Sequence, residues 1–245
     1  MSKIFVALPL AIVLAVAGGV AVWWFAIRSD ASPLDEPLPI PTSLLNTGTP
    51  TTSATGDVTP TTAATDGQVW TIVQGESEAD YYVGETLASI GVPSTANGKT
   101  EDISGTFYLT ADGLALDTSQ TSSFTVDVST LQSDEDRRDN RVRDALETGT
   151  YPTATFVAES IDGVPATVED GQTYEFTLTG TLTLHGVERT VTWAVEATRQ
   201  QNVISAIATL DFQFADYDIT PPDIGGFVSV EDGGTLQAVI IAQQS

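Results

Sequence analysis

The chain has 245 residues, nine basic against thirty-three acidic side chains, a net charge of −24 and no cysteine. So acidic a surface repels phosphate backbones, which excludes nucleic acid as a partner and leaves two readings, plain solubility or adaptation to a salty exterior. Without cysteine there is no disulfide, thiolate metal site, thiol nucleophile or lipidated cysteine, so stability must come from burial.

In chain order, the first feature is an apolar run from Ile4 to Ile27, broken only by Pro9 and bracketed by Lys3 and Arg28. It exceeds the roughly 20 residues that a helix needs to cross a bilayer. Trp23, Trp24 and Phe25 stand where an interfacial aromatic belt would. Two readings remain: a retained signal anchor over residues 1–28, or a signal peptide cleaved near Ala15-Val16-Ala17. Continuation of the run to Ile27 favours the anchor, a single-pass helix. In either case the domain is exported, and with Lys3 the charged residue on the short side it belongs on the extracytoplasmic face of the membrane.

Residues 29–67 are rich in Thr, Ser, Pro, Ala and Gly and almost lack aromatic residues. Such a segment buries too little to offset the entropy of ordering, and is expected to be a disordered spacer.

From residue 68 to 245 the chain reads as short strands separated by turn residues. Strands are expected at Val69–Val73, Asp80–Leu87, Ile103–Thr110, Ser122–Leu131, Thr153–Glu159, Tyr174–Leu184, Thr190–Ala197, Val203–Phe214 and Thr235–Ala242. Their alternation excludes a parallel α/β sheet and leaves an all-β barrel or sandwich. The clearest unit is a hairpin, in which Phe176, Leu178, Leu182 and Leu184, then Val191, Trp193 and Val195 after a Gly186–Arg189 turn, share one face opposite threonines. Asp134–Glu147 alone has helical spacing, with acid–base pairs Asp134–Arg138, Asp139–Arg143 and Arg143–Glu147 predicting a short surface helix.

Projected inward, the alternation places Phe107, Phe124, Phe156, Phe176, Leu178, Leu182, Trp193, Phe212 and Phe214 in the interior, none of them ionisable. They form either a solid core or the wall of an apolar cavity. Catalysis is not expected. His185 is the single histidine and is read as a turn residue, and with no cysteine a zinc or Ser-His-Asp site has too few parts. Acidic pairs such as Asp216 and Asp218 arise by chance in so acidic a chain. The cluster Arg137, Arg138, Arg141 and Arg143 has two readings: a helix knitted to nearby acids, or a clamp for a polar headgroup, with Arg137 and Arg138 as the candidate contacts. No cofactor and no metal is expected.

The run RRDNRVRDALETGTYPTATF, followed by LTGTLTLHGVERTVTW and the late FADYDITPP, resembles the YceI-like family of polyisoprenoid-binding proteins across Val69 to Ser245. The stretch YYVGETLASI departs from the family's commoner H-S-x-x-x-F opening. The resemblance implies a lipocalin-like antiparallel β-barrel of about eight strands with a short helix, bacterial and membrane-attached. It also implies that the interior residues named above bind an isoprenoid or other long apolar lipid. A structural or adhesive β-sandwich displayed on a stalk is the alternative.

Overall fold

The computed structural model describes residues 31–45, 67–87, 92–221 and 228–245. The Ile4–Ile27 run and residues 46–66 of the expected spacer lie outside them. Among the described residues no helix is long and apolar enough to cross a membrane.

Ten strands make one antiparallel sheet: β1 Gln68–Ile72, β2 Glu78–Leu87, β3 Val92–Thr100, β4 Ile103–Leu109, β5 Ser123–Asp127, β6 Thr153–Asp162, β7 Thr173–Leu184, β8 Val187–Gln200, β9 Val203–Gln213 and β10 Val228–Gln244. β1 and β2 follow one another along a single edge of β10, and β3 and β4 follow one another along β2 and β1. The ten segments are therefore eight staves in up-and-down order, and β10 closes the ring against β1. Closure leaves no two-layer sandwich, which corrects the alternative reading. It also answers the problem of unpaired sheet edges, save along β3, whose far side makes one bridge, Lys99 to Gln132.

β3 is a strand that alternation did not predict. Its sequence VPSTANGKT carries Pro, Asn and Gly and has no apolar face. Pairing with β2 from Ala79–Thr100 to Leu87–Val92 imposes the conformation, and Pro93 is tolerated because one side of β3 is an edge. The hairpin turn between β7 and β8 is tighter than expected. Leu184 pairs with Val187, so the turn is His185-Gly186, both with positive φ (52° and 73°), as a two-residue type I′ turn requires. Helix α1 spans Asp136–Ala145 and is capped by the Glu135 side chain on the Arg137 amide. Of the three pairs read along it, Asp134–Arg138 forms. Asp139 instead turns inward, accepting from the Ser133 amide at 2.8 Å and hydroxyl at 2.5 Å, and Arg143 donates to Asn140.

The expected spacer needs a larger correction. Residues 31–45 lie along the outer face of β9 and β10 as a strap. Proline-rich chain has too few amides to join a ladder, so barrel side chains satisfy its carbonyls. Gln237 Nε2 donates to the Leu34 carbonyl at 2.9 Å, Ser205 Oγ to that of Leu38 at 2.6 Å, and Gln243 Nε2 to that of Leu44 at 2.9 Å. Beneath it, outward-facing Val203, Ser205, Ile207, Gln237, Val239 and Ile241 are all buried. They form a second apolar layer apart from the barrel core, which runs through Phe124, Phe156, Trp193, Leu210, Phe212 and Ile240.

Candidate functional site

One end of the barrel is solid and the other hollow. At the solid end Phe107 of β4 faces Trp70 of β1, and Phe176 and Leu178 of β7 face Val195 and Trp193 of β8. At the other end a cavity of about 460 Å³ opens, within the range of about 300–1,000 Å³ usual for small-molecule sites. Its wall is Ala79, Tyr81 and Val83 of β2, Phe124 and Val126 of β5, Ala154 of β6 and Leu182 and Leu184 of β7. Trp193 of β8, Phe212 of β9, Phe214 just after it, and Leu236 and Ala238 of β10 continue it. The alanines and leucines at these positions leave space that larger residues would fill. Trp193 stacks edge-on to Phe124 and Phe156, with ring centroids 6.0 and 5.9 Å away, so the floor of the cavity is an aromatic platform.

The mouth is polar on one side. Val142 and Ala145 of α1 and its capping Leu146 pack against the core, which turns Arg137, Arg138 and Arg141 of the helix to the cavity rim beside Glu135. Arg138 pairs with Asp134 and lies 3.8 Å from Glu85 of β2. Burial raises the Glu85 pKa, and Arg138 opposes that rise. Arg137 and Arg141, one helical turn apart, make no ion pair among the described residues. Two buried donors on the wall, the Tyr81 hydroxyl and the Trp193 indole N–H, have no hydrogen-bond partner. Burial also raises the Tyr81 pKa, so the phenol stays protonated and can donate.

The profile of the YceI-like domain matches residues 70–242. The chain belongs to the YceI-like family. Its fold is shared with two solved structures. One is a polyisoprenoid binding domain from Saccharophagus degradans implicated in plant cell wall breakdown, 19% identical, covering 72% of this chain and 98% of that one at a TM-score of 0.56. The other is BcnA of Burkholderia cenocepacia, 20% identical, covering 70% and 99% at a TM-score of 0.50. No curated protein matches the chain.

Within this YceI-like barrel the residues expected to line the lumen divide by depth. Phe124, Leu182, Trp193, Phe212 and Phe214 line the cavity, as do Arg137 and Arg138 at the rim. Phe107, Phe156, Phe176 and Leu178 are on the interior face but pack in the core away from it. Alternation tells inward from outward and carries no information about height along the axis. Tyr81, Ala79 and Val83 were not singled out from sequence, because β2 reads as polar when Asp80 and Glu85 are counted with its apolar positions. The β10 wall escaped for another reason: Ala238–Ala242 is apolar at every position, so it has no alternation to follow. His185 accepts the turn role. Its Nδ1 is 2.9 Å from the Tyr217 carbonyl, and its ring meets that of Tyr151 edge-on at 5.0 Å.

Proposed function

We propose that this protein is an exported, membrane-tethered lipid-binding protein that holds a polyisoprenoid or isoprenoid-quinone-like chain in the hollow end of its barrel, without catalysis. The observation that carries the reading is the apolar cavity whose rim bears Arg137, Arg138 and Arg141 beside Glu85 and Glu135. A methylene moved from water into such a wall gains about 0.8 kcal/mol, so a branched hydrocarbon chain is held with little polar help. Arg137 and Arg141 suit an anionic or polar head at the mouth. The unpartnered Tyr81 hydroxyl and Trp193 N–H suit an acceptor oxygen, which favours a carbonyl-bearing chain over a bare hydrocarbon. Membership in the YceI-like family and the polyisoprenoid binding named for the Saccharophagus degradans domain support the same ligand class. The apolar run Ile4–Ile27 supplies the tether.

The test is lipid extraction and mass spectrometry of the full chain purified from membranes, followed by titration with a polyprenyl alcohol and an isoprenoid quinone in detergent. A stoichiometric isoprenoid, or saturable micromolar binding of either probe, is expected. A barrel free of lipid that binds neither sinks the reading.

A further inference from the structure

The strap determines which way the barrel faces. It enters at Leu34, whose amide and carbonyl both meet Gln237, passes Ser205 through Leu38, and ends at Gln243 through Leu44. Along β10 the step from Gln237 to Gln243 leads away from the cavity, whose rim includes Val228 and Val230. Upstream of Leu34 the chain is therefore directed towards the mouth. Taking Ile4–Ile27 as a membrane span, on which this inference rests, we propose that the barrel is held mouth-first on the bilayer that its own N-terminal run enters, with the Arg137 and Arg141 rim at the headgroups.

Length supports that orientation. Six Cα steps lead from Arg28 to Leu34, so this leash spans at most about 20 Å. On β2 the partners of Gln237 and Val230 are Asp80 and Glu85, five residues apart because β10 bulges between Val230 and Gly234, so the rim lies about 17 Å along the strand from Gln237, or about 13 Å along the axis of a barrel whose strands tilt by about 40°. The leash reaches the rim with only several ångströms to spare. The Thr-rich residues 46–66 follow the strap in sequence and add nothing to it, so the expected long stalk is replaced by a short one.

Arginine is concentrated at the same end. Of the seven basic residues after residue 67, four are on α1 at the mouth: Arg137, Arg138, Arg141 and Arg143. The same helix and its flanks carry six acids, of which Asp139 is buried on Ser133 and Asp134 is paired with Arg138, while Asp136, Asp144 and Glu147 are exposed, so the orientation rests on the strap and the leash and not on a net positive mouth. A barrel lying on its side would instead press the strap to the headgroups. Leu34 and Leu38 are exposed there, 37% each, but Asp35 and Glu36 stand exposed between them, and carboxylates are repelled by anionic headgroups. In the mouth-first orientation a lipid passes between bilayer and cavity without its chain entering water.

The chain has no cysteine, so single donor dyes can be placed by Asn140→Cys, exposed on α1, and by Gln172→Cys, exposed before β7 at the solid end. Full-length protein is inserted into phosphatidylethanolamine–phosphatidylglycerol vesicles carrying a headgroup acceptor dye. Energy transfer severalfold stronger from position 140 than from 172 is expected. Equal transfer, the reverse order, or no transfer from either overturns the proposal. The combined strap-releasing change Gln237→Ala, Ser205→Ala and Gln243→Ala, which removes the three side-chain holds described above, should collapse the difference, since the leash then lengthens well beyond Leu34, and a difference that persists in a folded variant overturns the strap's role. Isoprenoid binding in detergent is read separately. Binding with equal transfer sinks the orientation alone, and strong transfer from position 140 without binding sinks the lipid-carrier reading alone.

Discussion

Gln237 and Leu34 pair through both ends of one side-chain amide: Oε1 accepts from the Leu34 N–H at 2.9 Å and Nε2 donates to the Leu34 carbonyl at 2.9 Å. The glutamine imitates a strand backbone where the proline-rich strap cannot continue one. It is 1% exposed, and Nε2 also donates to Thr209 Oγ1 at 3.1 Å. Replacing it by leucine keeps the bulk but leaves Leu34 without its partners, a cost of about 1–3 kcal/mol for buried groups left unsatisfied. Gln237→Leu should lower the urea midpoint accordingly and speed amide exchange across residues 34–45 while leaving β5 to β7 protected.

Asp80 pairs with Gln237 across the β2–β10 ladder and so shares that outer face, 6% exposed. Burial, and secondly the nearby Glu78, raises its pKa from 3.8 to about 7, against the opposing effects of Lys99 and Asn97. The native state therefore holds a proton that the unfolded chain releases above about pH 4. Its contribution to stability is fully present below pH 3.8, declines as pH rises, and is gone above about 7. At about 1.4 kcal/mol for each tenfold change in proton affinity, the decline amounts to at most roughly 4 kcal/mol. Asp80→Asn should flatten the slope between pH 4 and 7 and stabilise the protein at pH 8, as denaturant titrations across pH will reveal. An unchanged slope refutes the assignment.

Ala154 lies on the cavity wall beside Val126. A phenyl ring there enters empty space instead of a packed core, so Ala154→Phe should change stability by no more than about 1–2 kcal/mol. Isoprenoid affinity should drop at least tenfold, measured by titration against the parent chain. Retained affinity would show that the ligand binds elsewhere.

Trp193 tests the polar half of the site. Phenylalanine keeps the edge-on contacts to Phe124 and Phe156 but removes the unpartnered N–H. One hydrogen bond of about 0.5–1.5 kcal/mol corresponds to a roughly threefold to tenfold loss of affinity. Trp193→Phe should show that loss for an isoprenoid quinone and none for a hydrocarbon of the same length. Equal effects on both would mean that the indole acts through packing alone.

How much was legible follows from what each pattern encodes. Two-residue alternation in β5, β7, β8 and β9 identified the interior correctly, because a pleated strand sends neighbours to opposite faces whatever surrounds it. The same rule fails for β3, which is a strand because β2 needs a partner and not because VPSTANGKT prefers one. It also misreads the strap. Composition assigns residues 31–45 to a spacer, whereas the clue to their place lay two hundred residues away in β10, where Val239 and Ile241 are as apolar as Ile240. A strand oily on both faces needs a cover on its outer side, and the strap is that cover.

The amino-acid order alone determined the all-β class, the short helix over Asp136–Ala145, the uncharged interior and the arginine cluster, since each depends on periodicity or residue type within a short window. Tertiary structure decided that the interior is solid at Phe107 and Phe176 and hollow at Trp193 and Phe212. It also decided that α1 places its arginines at the opening and that the strap runs down the wall away from the mouth. Those facts depend on the height at which distant strands pair around a closed ring. No local pattern encodes that height, because it is set by the registers of the eight staves taken together.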